Sequence, residues 1–395
     1  MSSAKAHWPD LTSMDKTGPG VYLHVPFCLS KCSYCSFYSC TATDTGIRQY
    51  HAAVLKRLNT LRHHAPWKSL TFTTIFFGGG TPSILPVPLL AELLARIKES
   101  FSITSDQAEI SIEVNPATID QEGLGKLRHA GFNRLSIGFQ SLDDQQLKRI
   151  GRPHSANDAL ETYVTARKAG FSNISIDLMY GLPDQTPEQW KKILGQTMEL
   201  KPEHISMYEL TLEPGTPLAS AVDRGEISLP DEDAVMEMME ITRETISHSP
   251  FKRYEISNYA RPGFRCRHNL NYWNNGSYLG IGPGAVSAFE GKRWSTREDL
   301  AQFLDATKTP RSIEGEEEVL NHEAYFRETV VIGLRLTDGI DLKKLHDRFS
   351  IDPMTYYDKT LTHLIAQKLL KLEGWNLSLT KHGLALANTV MAELV

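Results

Sequence analysis

The sequence predicts an α/β protein in which a parallel, barrel-like sheet of six strands is followed by a small helical domain with a wing. Three observations carry this reading. Six short apolar runs recur up to Leu210, alternating with segments of helical spacing. The connections between them are short and rich in Gly, Pro, Asn and Asp. Polar residues close successive runs at corresponding ends (Glu113, Gln140, Asp177), as in sheets whose strand C-termini line one site.

The first strand, Val21 to Val25, runs directly into YLHVPFCLSKCSYCSF, and a helix is expected over 47–63. The second strand, Phe72 to Phe77, leads into GGGTPS and a helix over 88–100. Gly78, Gly79 and Gly80 suit either a tight turn of positive φ or a backbone that approaches a ligand closely. The third strand is Glu109 to Val114, ending next to Asn115 and Pro116. The fourth, Arg134 to Phe139, ends in Gln140, and the segment after it carries Arg152 and His154. The fifth, Asn173 to Leu178, presents Asp177 before a Gly-Pro turn and a helix from Pro187. The sixth is Ile205 to Leu210.

From Asp231 the character changes. DEDAVMEMMEITRETISHS reads as an acidic helix with a packed Val, Met and Ile face and a solvated charged face. Arg253 to Gly291 is rich in aromatics, His and Gly, too wet for a core and too aromatic for a plain loop. The rest reads as a helical domain in which LTHLIAQKLLKLEG is a helix, WNLSLT a short strand and Lys381 the start of a closing helix. The expected division is 1–230, 231–313 and 314–395.

Composition bounds the function classes. The 395 residues are 41% hydrophobic and 23% charged, and 42 basic against 47 acidic residues give a formal charge of −5, so nucleic acid is not an electrostatic partner. No apolar run is long enough for a bilayer and the polar start lacks a signal-peptide core, so a cytoplasmic location is expected. A reducing compartment also suits three cysteines, Cys28, Cys32 and Cys35, in a C-x3-C-x2-C array. Thiolates this close can share one iron-sulfur cluster, leaving the fourth iron of a cube open. A zinc knuckle normally pairs C-x2-C halves with a fourth ligand at short range. Cys40 fits neither spacing and reads as an ordinary thiol.

At YLHVPFC and KCSYCSF the chain resembles the radical S-adenosylmethionine (SAM) superfamily, and within it the oxygen-independent coproporphyrinogen III oxidase (HemN)-like family and its HemW haem-chaperone branch. That resemblance implies a partial (β/α)6 radical SAM barrel with a HemN-type, winged-helix-like C-terminal domain. It implies a [4Fe-4S] cluster on Cys28, Cys32 and Cys35 whose open iron takes the amino and carboxylate groups of SAM, and a reductant such as flavodoxin or ferredoxin. It assigns Tyr22, Gly79, Gly80, Thr81, Glu113, Gln140, Arg152 and Asp177 to SAM contacts, for one or two SAM molecules, and GIGPGAVS at Gly280 to Ser287 to the same pocket.

CRHNLNYW, Cys266 to Trp273, resembles the HNxxYW segment of the HemW branch and implies a nearby haem, with Cys266, His268, Tyr272 and Trp273 as its candidates. By chemistry Cys266 or His268 is a feasible axial ligand; a satisfied, partly buried histidine is the alternative. Phe37 stands where the oxidase has a fourth Cys, and only 27 residues precede Cys28, where the oxidase has a longer arm. Val286 departs from the GxGAHS of the HemW branch. The expected function is a haem chaperone delivering haem to acceptor proteins. The alternatives are a radical SAM oxidoreductase of the coproporphyrinogen oxidase type, or a methyltransferase or cyclopropanase using two SAM molecules. Catalytic residues are unassigned, and a homodimer and a peripheral membrane contact through the acceptor are left open.

Overall fold

A computed structural model describes residues 18–104, 107–305 and 313–395. Six parallel strands, β1 (Gly20–Val25), β2 (Thr74–Gly79), β3 (Glu109–Val114), β4 (Arg134–Gln140), β5 (Ile174–Tyr180) and β6 (His204–Glu209), lie side by side in chain order. All six expected strands are present, shifted by at most two residues; Phe72 instead belongs to a separate short strand paired with Ser102–Ile103.

Period-two alternation decides which side chains face which way. Val21, Leu23 and Val25, Ile75 and Phe77, Ile110 and Ile112, and Leu135 and Ile137 all enter the large apolar core. That core is completed by the covering helices α1 (Asp44–Leu61), α2 (Val87–Ser100), α3 (Gln121–Ala130), α4 (Ala156–Lys168) and α5 (Pro187–Glu199). The alternate residues are polar: Glu109, Ser111 and Glu113; Arg134 and Ser136; Ser175 and Asp177; His204 and Ser206. The sheet thus carries an apolar face toward the helices and a polar one toward the barrel interior.

Helix starts follow their capping chemistry. Ser155 with Asp158 and Thr186 with Gln189 form reciprocal capping boxes at α4 and α5, and α5 also opens on Pro187. The acidic helix α6 (Glu232–Ser247) docks on α5 through Trp190, whose indole Nε1 donates to Met238 O at 3.1 Å and to Thr242 Oγ1 at 2.8 Å. A fully buried indole requires such a partner.

β6 does not pair with β1, so the barrel is partial. Beyond β6 the sheet continues with antiparallel β7 (Lys252–Arg253) and β8 (Asn258–Ala260). Helix α7 (Arg267–Trp273) then leads to β9 (Tyr278–Ile281), parallel to β1, and a meander of β10 (Val286–Phe289), β11 (Lys292–Thr296) and β12 (Glu314–Val319). β12 was expected in the C-terminal domain on sequence, yet it pairs with β11 as the edge of the main sheet.

The C-terminal residues form a second core around Phe326, Phe349, Leu361 and Leu377. It is built from α8 (His322–Gly333), β13 (Ile340–Asp341), α9 (Leu342–Phe349), α10 (Pro353–Ala366), β14 (Leu370–Glu373), β15 (Asn376–Leu379) and α11 (Lys381–Ala385). The helix expected through LTHLIAQKLLKLEG stops at Ala366. LKLE is instead β14, because Gly374 at φ +64° turns the chain back and pairs it with NLSL, forming the wing. Among the described residues no helix is long and apolar enough to cross a membrane.

Candidate functional site

β1 passes almost directly into Phe27–Cys28, which pairs in parallel with Cys40–Thr41. Cys40 N donates to Pro26 O at 2.7 Å and Ala42 N to Cys28 O at 3.0 Å, so both ends of the cysteine loop are tied down beyond the C-terminal ends of the strands. The loop crown is held by Ser33, whose N–H bonds Ile150 O at 3.1 Å and whose carbonyl accepts from Leu218 N at 2.8 Å. Cys28, Cys32 and Cys35 all line one cavity of about 570 Å³, and Cys40 does not. The Cys40 thiol donates to Pro26 O at 3.3 Å. Leu29 and Phe37, 61% and 67% exposed, flank the cavity on the same loop.

Among the described residues no three His, Cys, Asp or Glu side chains converge as ligands of one metal ion. Thiolates around a four-iron cube each bind a different iron, so this does not conflict with a cluster.

The glycine turn after β2 lies against that loop. Gly80 N donates to Val25 O at 2.8 Å, and a Cβ at Gly80 would stand 2.6 Å from Phe27 O and 3.0 Å from Cys28 Sγ. Gly79 has φ +114°, and a Cβ there would meet the His24 ring at 2.7 Å. Thr81 N donates to Phe27 O at 2.7 Å, and its hydroxyl to Cys28 Sγ at 3.7 Å.

From Thr81 a chain of hydrogen bonds spans the cavity. Asn115 Nδ2 donates to Thr81 Oγ1 at 2.7 Å, and Asn115 Oδ1 accepts from Arg152 Nη2 at 2.8 Å. Arg152 Nη1 reaches Cys32 Sγ at 3.5 Å. Sequence reasoning passed over Asn115; its place one residue past β3, beside Glu113, was the available signal.

Two carboxylates lie below the cysteine loop. Glu113 Oε2 accepts from Gly79 N at 3.1 Å, and burial, then the neighbouring Asp177, push its acid up to about 8. Asp177 is also raised, by burial, although Ser136 and Ser175 donate to it at 2.9 and 3.0 Å. Burial likewise raises the Cys35 thiol. Gln140 sits at a register irregularity between β4 and β5 with φ +63°, and its side chain enters the same lining. Ser136 and Ser175 were missed in the sequence, where only strand-end residues were singled out, although their alternation within RLSIGF and NISIDL was visible.

Every cluster and SAM candidate except Tyr22 and the GIGPGAVS segment therefore meets at one cavity. Tyr22 is packed beside it: its ring stacks on Phe76 with centroids 6.3 Å apart, and its hydroxyl bonds His24 Nδ1 at 3.1 Å. GIGPGAVS, expected to complete the pocket, lies behind the loop, where Gly282 packs on the His24 carbonyl and Gly284 on Tyr38.

The haem candidates occupy the opposite end of the barrel. Glu109, the first residue of β3, accepts from Arg267 N at 3.0 Å, His268 N at 3.2 Å and Cys266 Sγ at 3.5 Å, pinning the start of α7 beneath the strands. His268 Nδ1 bonds Thr74 Oγ1 at 2.7 Å and its Nε2 bonds the Tyr272 hydroxyl at 2.8 Å. Burial pushes the His268 imidazole down to about 3 and the Cys266 thiol up to about 12. Trp273 lies under the Arg335 guanidinium at 4.4 Å. As folded, neither proposed axial ligand is open: both His268 nitrogens are engaged, and Cys266 is fully buried against Glu109.

Residues 22–196 match the Radical SAM superfamily model and residues 320–386 the HemN C-terminal domain. The chain is 33% identical to the heme chaperone HemW of Lactococcus lactis over 95% of this chain and 96% of that protein. The chain belongs to the HemW family. It is 36% identical to the Synechocystis heme chaperone HemW, over 82% of this chain and 79% of that one. It is also 34% identical to a mouse mitochondrial protein, radical S-adenosyl methionine domain-containing protein 1, over 96% and 88% of the two chains. The coproporphyrinogen III oxidase HemN of Escherichia coli superposes with a TM-score of 0.82 over 95% of this chain and 90% of that one; at 24% identity the likeness is one of fold. In this HemW-family chain the HNLNYW segment is α7, the floor of the barrel.

Proposed function

We propose that the chain is a radical-SAM-type protein that holds a [4Fe-4S] cluster on Cys28, Cys32 and Cys35, binds SAM beside it, and carries haem to acceptor proteins. The observation that carries the cofactor assignment is the convergence of three thiols, a bare glycine turn, Glu113, Arg152 and Asp177 on one cavity. The residues fit the group. Gly80 leaves room against Cys28 that a Cβ would fill. Arg152 offsets thiolate charge at Cys32, and its buried Nε has no acceptor among the described residues, a vacancy suited to a ligand carboxylate. A cluster bound there supplies an open iron for SAM and the electron for its reductive cleavage.

The protein's own part is positioning. Glu113 and Asp177 offer carboxylates to cationic and hydroxyl groups of SAM, and the Asn115 bridge keeps Arg152 and Thr81 in register. The haem-carrying part is supported by the two relatives above named heme chaperones. A haem-acceptor protein, a flavodoxin- or ferredoxin-type reductant, a cytoplasmic location and a division near 230 and 313 belong to the same reading.

The test is haem titration beside product analysis with coproporphyrinogen III, on anaerobically reconstituted protein with SAM and reductant. Stoichiometric haem binding, transfer to an apo-acceptor and no decarboxylation are expected. Decarboxylation in step with 5′-deoxyadenosine formation would replace the chaperone with an oxidase.

A further inference from the structure

Asp177 lines the cavity under the cysteine loop, and part of its support comes from deeper in the barrel. The parallel register sets Ser175 of β5 beside His204 of β6, and Asp177 beside Ser206. Side chains two residues apart on a strand share a face, so all four point into the interior. There they belong to one hydrogen-bonded line. Ser175 Oγ donates to Asp177 Oδ1 at 3.0 Å and bonds His204 Nδ1 at 2.8 Å. His204 Nε2 bonds the Tyr254 hydroxyl at 2.8 Å, and that hydroxyl accepts from Cys266 N at 3.3 Å, just ahead of α7. Ser175, His204, Tyr254 and Cys266 are fully buried. Tyr254 is pinned in turn, since its N–H bonds Asn258 O and its carbonyl accepts from Thr337 N, both at 3.1 Å.

The hydrogens along this line run in one direction. Burial, with the Arg134 guanidinium nearby, pushes the His204 imidazole well below its usual range, so the ring is neutral and carries a single N–H. With that hydrogen on Nδ1, it goes to Ser175 Oγ, the Ser175 hydrogen goes to Asp177 and the Tyr254 hydrogen goes to Nε2, and every group is satisfied. With the hydrogen on Nε2, it goes to the Tyr254 oxygen, which already accepts from Cys266 N, and the Tyr254 hydrogen has no acceptor among the described residues. Ser175 then turns its hydrogen to Nδ1, and Asp177 loses a donor. A buried hydroxyl without an acceptor is costly, so the hydrogen sits on Nδ1.

We infer that His204 is a positioning residue of the SAM site and acts through Ser175: its Nδ1–H, fixed by Tyr254, commits the one Ser175 hydrogen to Asp177 and so aims that carboxylate at the ligand. This rests on the reading of Asp177 as a SAM contact. Ser136 also holds the carboxylate, at 2.9 Å to Oδ2. Glu113 of β3 opposes its ionised form and Arg134 of β4 favours it, and the Tyr208 phenol of β6 faces it as well. Without His204, Ser175 loses the bond that orients and polarises its hydroxyl, and its hydrogen is free to turn to Ser206 Oγ, 3.3 Å away. The ionised carboxylate is then less favoured, and a cationic ligand binds less well at a given pH.

SAM affinity against pH, measured by equilibrium dialysis on the anaerobically reconstituted full chain, tests the relay. Iron content is expected to stay at the parental level in every variant. Ser175→Ala, which removes the donor outright, is expected to weaken SAM binding about tenfold at neutral pH and to move its rise about one unit toward higher pH. His204→Phe, which keeps a ring but no N–H, is expected to shift the profile the same way and to weaken binding about threefold or more. His204→Asn, whose amide N–H stands in for Nδ1–H, returns the parental profile even where denaturant unfolding shows a less stable fold, which a merely structural role for His204 would not give. In the Ser175→Ala background, His204→Phe adds nothing. A parental profile in Ser175→Ala or in His204→Phe, or losses that add in the double variant, overturns the relay. If Asp177→Asn binds SAM as tightly as the parent, the reading of Asp177 falls and the relay falls with it; if Asp177→Asn alone weakens binding, only the relay is overturned.

Discussion

Arg152 ties the cysteine loop to the barrel: its Nη1 donates to Cys32 Sγ at 3.5 Å while Nη2 bonds both Asn115 Oδ1 and Gly138 O at 2.8 Å. One planar fork thus fixes a loop thiol relative to residues beyond β3 and in β4. Lysine keeps the charge but not the fork. Arg152→Lys is expected to retain its iron and to bind SAM about tenfold more weakly, the loss of roughly one charge-assisted hydrogen bond. Anaerobic iron assay and equilibrium dialysis check both halves; unchanged SAM affinity removes Arg152 from the SAM site.

The cysteines separate into two classes. Cys28→Ala, Cys32→Ala and Cys35→Ala are each expected to lose the iron-sulfur absorbance, whereas Cys40→Ala, whose thiol is turned to Pro26 O, keeps it. Full cluster in any of the first three rejects that ligand.

Glu113 sets a pH dependence. Its acid is raised to about 8, so at neutral pH the ligand-free protein holds it protonated. A cationic ligand favours the ionised form, and SAM binding therefore releases a proton. Affinity is expected to rise with pH below about 8, by up to about tenfold per unit, and to level off above it. The sign for stability is the opposite. The folded value lies above the ordinary 4.5, so the stabilising contribution is complete below 4.5 and is lost as pH rises through about 8. Glu113→Gln should flatten both profiles and bind SAM weakly throughout; calorimetry at several pH values reads them.

His268 carries a different kind of prediction. It is buried with both nitrogens bonded, between Thr74 and Tyr272. His268→Ala removes packing and leaves two polar partners unsatisfied, an expected loss of about 2–4 kcal/mol. Denaturant unfolding measures it. The Soret band of the haem complex should not move; a moved band with parental stability would return α7 to the ligand list.

The strands were legible because their apolar residues alternate with polar ones, and the cysteine loop because its spacing is local. The gathering of Glu113, Gln140 and Asp177 followed from a rule about strand ends, and that of Gly79 from the glycine turn and the family resemblance. The failures were long-range. EEEV of β12 shows no sign in its own residues that it pairs with β11, and LKLE keeps a helical apolar spacing that only the turn at Gly374 overrides. His268 was read by its chemistry, but its fate depended on Thr74, nearly two hundred positions earlier.

With α7 seated across the strand N-termini, the cavity under the cysteine loop meets the surface where the exposed Leu29 and Phe37 line it. A macromolecule that settles on Leu29 and Phe37 covers that part of the cavity mouth. A partner resting on the loop would therefore slow the exchange of a small molecule behind it without touching it.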